Sequence, residues 1–324
     1  THCESSAASD VYKRQVDDFK LAGPLENLKA GWDLIRGSGI ELDPPTPYSQ
    51  YLGCGQETYQ VPDSVFDKRM ASIRQMLPSH SSKDYKSAKD VRGIRHDMRG
   101  FTDQCIQRYL ECASKTVTTS PGRRQKRSAS PPRTARSRSA SSSGTPGANP
   151  ATGNTTVTYD DLPPAETPGI EDTTFTEADY NDEGCLGSDA ASVLMKILYL
   201  ARCCRFDLLH PVCMLAREIT KWNTACDKRL HRLICYLKST KDHCLHGWIG
   251  DSADKLTIML FTDASFADCV SSSKSTTGLF AALVGPNTFF PLNAACKKQT
   301  VVSHSSTESE IVALDSALRI EGLP

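Results

Sequence analysis

Between residues 116 and 183 the chain carries almost no aliphatic side chains, and this divides its folding problem in two. Ser, Thr, Pro, Gly and Arg dominate there, and their burial cannot offset the entropy of ordering so long a segment. Charge is separated as well. Pro121 to Ala140 holds seven basic residues and no acidic one, whereas Asp160 to Glu183 holds nine acidic residues and no basic one. Blocks of this kind ordinarily stay solvated, so 116–183 is predicted to be a disordered tether. The basic block offers contact with RNA or DNA without sequence preference, or the acidic block folds back to neutralise it. The Arg-Ser alternation over Arg133–Arg138 offers phosphorylation sites. Lys plus Arg equals Asp plus Glu over the whole chain, 38 each, so the net charge announces no polyanionic partner.

The thirteen cysteines are irregularly spaced, with Cys203 and Cys204 adjacent and no Cys-x-x-Cys pair. This argues against a zinc knuckle or ribbon. The odd total and the lack of a secretory leader predict reduced thiols in an intracellular protein. No apolar run approaches the roughly 18 residues of a membrane span. Thr1–Gln15 have no apolar period, and their tail resembles translated adaptor sequence, so 1–15 are read as a non-native or disordered leader.

Residues 16–115 form a poorly periodic region. A helix is predicted over Leu25–Ile35, with Leu28, Trp32 and Ile35 on one face, then a short strand near Gln50–Cys54. A second helix, Phe101–Ser114, carries Cys105, Ile106, Tyr109 and Leu110 as its stripe. Residues 184–250 predict a helical subdomain. Its first helix is capped by Ser188 and carries Val193, Ile197 and Leu200. Leu208–Thr220 is the second, and the third has a capping-box spacing at Thr224–Asp227 and a Leu230, Leu233, Ile234, Leu237 stripe.

Residues 251–324 change period. Strands are predicted over Leu256–Asp263, Gly278–Val284 and Thr288–Leu292, with a fourth or its approach at Gln299–Ser303. A helix opening at Ser305-Ser-Thr-Glu308 then buries Ile311, Leu314 and Leu318. Asp263 is expected at the end of a buried strand. Glu310 is expected on the helix edge beside Ala313 and Ala317, and Glu308 near the cap, where the helix dipole favours a carboxylate. Pattern alone leaves an ordinary solvent-facing role open for Glu310.

Seven pieces fall in a constant order along the second half of the chain. They are Tyr199-Leu-Ala201, Asp207-Leu-Leu-His-Pro-Val212 with Leu215-Ala-Arg217, Lys228–Lys238, Thr262-Asp-Ala-Ser-Phe-Ala267, Lys274-Ser-Thr-Thr-Gly278, Lys297-Lys-Gln299 and Ser305-Ser-Thr-Glu-Ser-Glu310. Together they resemble the connection region and ribonuclease H domain of the Pol polyprotein of copia-type long-terminal-repeat retrotransposons. Val16-Asp17-Asp18-Phe19 resembles the palm motif of reverse transcriptases, though Gln15 stands where Tyr is usual. Leu52-Gly-Cys54 resembles the strand that follows it.

The resemblance implies an α/β (α+β) architecture. Its parts are a partial reverse transcriptase palm and thumb over 16–115, the linker, a helical connection over 184–250, and an incomplete ribonuclease H-like mixed sheet with one helix over 251–324. It also implies Mg²⁺ or Mn²⁺ held by Asp263 and Glu310 for hydrolysis of RNA in an RNA–DNA hybrid. Asp17 and Asp18 would hold metal for RNA-directed DNA synthesis, although alone they read as a solvated turn. Lys228, Arg229, Arg232, Lys238 and Lys274 would contact hybrid or template RNA, the alternative being a plain solvated face. The family's two further nuclease carboxylates come later in sequence than Pro324, so the chain alone is expected to be inactive and to depend on upstream and downstream parts of the polyprotein. A nucleic-acid-binding module or an inert remnant are the alternatives. The expected location is cytoplasmic, associated with particles, or nuclear, with no membrane partner.

Overall fold

The computed structural model describes residues 20–45, 49–77, 84–119, 158–269 and 272–322. The chain divides into two units, one made of the segments up to Met98 and from Cys244 onward, the other of Arg99–His243. The first unit begins with helix α1 (Leu25–Gly37), strands β1 (Gln50–Tyr51) and β2 (Cys54–Tyr59), helix α2 (Asp63–Met76) and strand β3 (Arg92–Asp97). The second holds helices α3 (Arg99–Thr119), α4 (Glu177–Asn181), α5 (Ala190–Cys203), α6 (Leu209–Arg217) and α7 (Thr224–Ser239). The chain returns to the first unit with β4 (Leu245–Ile249), β5 (Thr257–Cys269), β6 (Lys274–Gly285), β7 (Thr288–Lys298) and helix α8 (Ser306–Ala317).

Helices with an open antiparallel sheet make this a mixed α/β fold. The seven strands run in the order β1-β2-β3-β4-β7-β6-β5, and every neighbouring pair is antiparallel. The sheet is therefore not the mixed one expected, and it is not confined to residues 251–324. Arg92–His96 pair with Leu245–Ile249, which joins the strands of the early region to those of the late one.

Local chemistry explains the elements. Leu52 and Gly53 both take positive φ, 50° and 76°, and so form a two-residue hairpin turn between β1 and β2. In α2, Phe66, Met70 and Ile73 recur at helical spacing and are buried. They pack on Trp248, Ala282, Val284 and Phe289 from the sheet. A row of rings runs through this core, with centroids 5.9 Å apart for Phe66–Trp248, 5.7 Å for Trp248–Phe289, 6.4 Å for Phe289–Phe280 and 5.9 Å for Phe280–Phe261. Such aromatic contacts add about 0.5–1.5 kcal/mol each to the area they bury.

In the second unit the predicted stripes face inward. Cys105, Ile106, Tyr109 and Leu110 of α3, Val193, Ile197 and Leu200 of α5, and Leu230, Leu233, Ile234 and Leu237 of α7 are all buried. The α7 cap is Asn223 instead of Thr224, since its side chain accepts from the Cys226 amide. Asp227 is thereby free to accept from the Cys185 and Leu186 amides and from the Trp222 indole. The acidic half of the expected tether is ordered: residues 158–183 form turns and α4, with Leu162 and Ala165 buried. Two apolar anchors and a set of polar contacts supply what composition alone seemed to lack. Residues 120–157, including the basic block, lie outside the described residues.

The β6–β7 turn fixes the first unit. Asn287 is 1% exposed. Its side-chain oxygen accepts from the Lys86 amide (2.6 Å) and Arg74 Nη2 (3.1 Å), while its nitrogen donates to the Asp84 carbonyl (2.7 Å) and Asp251 Oδ1 (2.8 Å). Asn287→Ala would leave several of these groups unsatisfied, each costing roughly 1–3 kcal/mol. Urea unfolding is expected to show a loss of about 3 kcal/mol, and a loss under about 1 kcal/mol would show that the turn is not a clamp.

Candidate functional site

Asp263 is the seventh residue of the thirteen in β5, so it stands in the middle of the strand and not at its end. Pairing with β6 continues past it through Ala264–Thr277 and Ser265–Thr276, which is why the strand does not stop there. β5 is the outermost strand, and the residue opposite Asp263 is Gly278, which has no side chain to cover it. Asp263 is accordingly exposed, contrary to the buried position expected. Antiparallel partners share a face of the sheet. Asp263 therefore belongs to the face of Phe261 and Phe280, the face on which α2 packs.

Helix α8 opens at Ser305, whose hydroxyl accepts from the Glu308 amide, while Glu308 Oε2 accepts from the His304 amide at 2.6 Å. Glu308 is thus a capping carboxylate. One residue on, the Ser309 carbonyl accepts from Gln299 Nε2 at 2.9 Å, and the same nitrogen donates to Thr277 Oγ1 at 3.1 Å. This buried tether holds the first turn of α8 over β6. Gln299 is therefore a tether beyond the end of β7, and no fourth strand forms over 299–303. The far end is tied by Asn293 Nδ2 donating to Glu321 Oε1 at 2.5 Å.

Small residues face the sheet from α8: Ser309, Ala313 and Ala317 are buried. The expectation that Ile311, Leu314 and Leu318 are buried is overturned, since they are 63%, 47% and 42% exposed. With small side chains inward, the helix backbone approaches the strands closely and the branched residues are turned outward. Glu310 is exposed beside the tethered Ser309.

Thr277 pairs with Ala264, the neighbour of Asp263, so the tether brings Glu310 to the level of Asp263 along β5. It does so on the Thr277 face, the opposite one from Asp263. No group of three or more His, Cys, Asp or Glu suited to a metal occurs among the described residues. Two exposed carboxylates on different faces do not by themselves fit the donor set of a divalent ion. Asp17 and Asp18 lie outside the described residues. Burial pushes the Cys105 thiol up to about 12 and the Cys235 thiol up to about 11, so neither is a ready nucleophile.

The cationic candidates are engaged internally. Lys274 Nζ donates to the Thr300 carbonyl at 2.6 Å. On α7, Lys228 pairs with Asp179 (2.7 Å) and Arg229 with Asp172 (2.6 Å). Arg232 donates to the carbonyl and hydroxyl of Thr167, and Lys238 to the carbonyls of Tyr159 and Leu162. The face of α7 that reads in sequence as either solvated or phosphate-binding is covered by 158–183.

Sequence reading also missed an ion pair at the Asp207 motif, made by a buried arginine and a solvent-accessible aspartate. Arg205 is 2% exposed and donates to both Asp207 oxygens, at 2.9 and 2.7 Å, and to the Thr240 carbonyl, while the Tyr236 hydroxyl donates to Asp207. The signal available in the sequence was only an arginine two residues before an aspartate, between apolar helical stripes.

No family model matches the chain, and no solved structure matches it. The chain is similar to an uncharacterized mitochondrial protein of Arabidopsis thaliana, 32% identical over 127 residues, which cover 39% of this chain and 50% of that protein. The chain thus spans about half the length of that relative.

Two outcomes follow from this geometry. Glu308→Ala removes a cap partner and is expected to cost about 1 kcal/mol, whereas Glu310→Ala is expected to be neutral within about 0.5 kcal/mol. Urea unfolding separates the two, and the reverse ranking would exchange their roles.

The second outcome concerns pH. Burial opposes the Asp207 carboxylate, but the Arg205 guanidinium and Tyr236 outweigh it and hold its pKa low. The Lys228 ammonium, then the Thr176 amide, hold Asp179 low as well. A depressed carboxylate stabilises fully above its unfolded value of about 3.9 and loses that contribution as pH falls through the folded value. The second unit should therefore lose stability between about pH 5 and pH 2. Asp207→Asn should lose less over that range, and an equal loss would assign the effect elsewhere.

Proposed function

We propose that the chain is a segment of a copia-type retrotransposon Pol polyprotein, covering the end of a reverse transcriptase region, the connection and the start of a ribonuclease H-like domain. The observation that carries this reading is that six of the seven motif pieces coincide with a definite structural task. Thr262–Ala267 lies in the edge strand β5, and Lys274–Gly278 opens β6 and holds it. Lys297–Gln299 closes β7 and supplies the tether to α8, and Ser305–Glu310 caps that helix and forms its first turn. Asp207 neutralises Arg205, and Lys228–Lys238 is the charged side of α7. The similarity to the Arabidopsis protein adds an independent relative and no activity.

In this reading the partner is an RNA–DNA hybrid and the cofactor Mg²⁺ or Mn²⁺. The resemblance assigns that ion to Asp263 and Glu310, which stand on different faces here and do not by themselves hold it. A divalent ion, where bound, would activate water and neutralise charge on the scissile phosphate. In this reading two carboxylates on different faces leave the site incomplete, and the chain by itself is expected not to cleave. Among the described residues no helix is long and apolar enough to cross a membrane, and the place of action in this reading is a cytoplasmic particle or the nucleus.

Cleavage of an end-labelled RNA–DNA hybrid, in Mg²⁺ and in Mn²⁺, tests the proposal. The expected result is no cleavage above background. Loss of a single electrostatic contact in an active site already costs roughly 10²–10³ in rate, and here several donors are lacking. Cleavage that vanishes in Asp263→Asn would overturn the inactive reading and show that this chain completes the site itself. Retention of the hybrid without cleavage would favour a binding module.

A further inference from the structure

Residues 158–183 lie along α7 in one direction. Tyr159 and Leu162 meet Lys238, Thr167 meets Arg232, Asp172 meets Arg229, and Asp179 meets Lys228. The segment therefore runs antiparallel to the helix and covers about 15 Å of it at 1.5 Å per residue. It is a strap, anchored by buried Leu162 and Ala165 and by the Ala165 amide donating to Ser239 Oγ at 2.9 Å. Arg229 is also stacked, its guanidinium 4.6 Å from the Phe175 ring and 5.7 Å from the Tyr180 ring. Ring stacking, charge pairing and carbonyl contacts satisfy these four cations by the same chemistry that a polynucleotide offers through its bases and phosphates.

Charge goes further than satisfaction. The strap's sequence from Asp160 to Glu183 holds nine acidic residues and no basic one, against the four cations it covers. Covering the face therefore reverses its sign. A phosphate backbone approaching the closed strap meets net negative charge, whereas the bare helix would present Lys228, Arg229, Arg232 and Lys238 along one side.

We infer that the acidic strap is an intramolecular competitor for a phosphate-backbone site on α7, so that polynucleotide binds this face only when the strap is displaced. The polynucleotide as ligand rests on the reading under Proposed function, while the competition rests on the contacts alone. Displacement exchanges one set of charge pairs for another and involves no covalent step. Opening is governed by ionic strength and by polyanion concentration, because surface pairs are screened within a Debye length of about 8–10 Å.

The test is binding of fluorescently labelled single-stranded RNA and of RNA–DNA hybrid to the full chain at low salt, with heparin as a polyanion carrying no bases. Asp172→Asn/Asp179→Asn loosens the strap without adding positive charge. It is expected to bind at least about tenfold more tightly than the unaltered chain, because removing pairs with a competitor raises the fraction of open sites. Adding Arg229→Ala/Arg232→Ala to that variant should abolish the gain and reduce the salt dependence by about two counterions. Unchanged affinity in the double variant, or a gain that survives loss of both arginines, overturns the proposal. The second result would place binding elsewhere, as in the basic block Pro121–Ala140.

Hydrogen exchange on the unaltered chain provides a measurement free of any folding defect. Saturating polyanion should accelerate exchange of strap amides between Asp172 and Asp179, and retained protection in the bound state overturns the proposal. A response to heparin equal to that for RNA keeps the strap and removes polynucleotide as its preferred ligand, which is a failure of the functional reading and not of the competition.

Discussion

The pairing of β3 with β4 is the contact on which the first unit depends, because it joins strands that the whole of the second unit separates in sequence. Without it β1–β3 would be a small isolated layer, and β4 would have only its single Trp248–Phe289 bridge to β7. Two glycines on this pair let the flanking strands β2 and β7 approach it closely. A Cβ at Gly93 would sit 2.7 Å from the Tyr59 carbonyl, and one at Gly247 would sit 2.6 Å from a Phe290 ring carbon. Backbone and ring leave no room to yield, so a side chain at either place would pry the ladder apart. So remote a pairing must recover its closure entropy from burial. The Phe66–Trp248–Phe289 contacts provide that burial, with Trp248 on β4 itself.

Elements with a strong period were legible. The stripes of α3, α5 and α7 and the strand character of 257–292 could be read from aliphatic spacing, because there burial and local propensity agree. Helix α2 was not, since its three buried residues are diluted by Asp63, Asp67, Lys68, Arg69 and Arg74. Strand β3 reads Arg-Gly-Ile-Arg-His-Asp and carries no alternation at all; it exists because β2 and β4 flank it on both sides. Arg95 on it pairs with Glu57 directly across the ladder, a contact that depends on register and is invisible in the linear chain.

The candidate carboxylates show where pattern reading stops. Residue types and spacing located Asp263 on a strand and Glu310 near the start of the last helix, and they are found in mid-strand and as the fifth residue of α8. Which face each occupies was not legible. On β5 the face is set by parity relative to Phe261, and on α8 it is set by the Gln299 tether together with the small residues Ser309, Ala313 and Ala317. The apolar triad Ile311, Leu314 and Leu318 misled because a stripe records only that some surface is to be covered, and close packing against a sheet favours the smaller residues. Asp263 has Gly278 as its partner on the edge strand, and the same absence of a side chain that leaves it open to solvent leaves it without a neighbouring donor.

Charge supplies the clearest case of a third possibility between two weighed alternatives. The cations of α7 read in sequence as either a solvated face or a phosphate contact, and both readings leave them without a protein partner. Ordering the acidic segment over them costs conformational entropy along its length. That cost is offset by pairing four cations with carboxylates and carbonyls, by burying Leu162 and Ala165, and by the stacking of Arg229 on Phe175 and Tyr180. No single one of these is large, since surface pairs contribute about 0–1 kcal/mol each. A strap held by many weak contacts can be ordered at rest and still yield to a stronger polyanion, which a segment held by one deep hydrophobic anchor could not do. In the strap the compensation is incomplete on the acidic side, nine carboxylates against the four cations of α7.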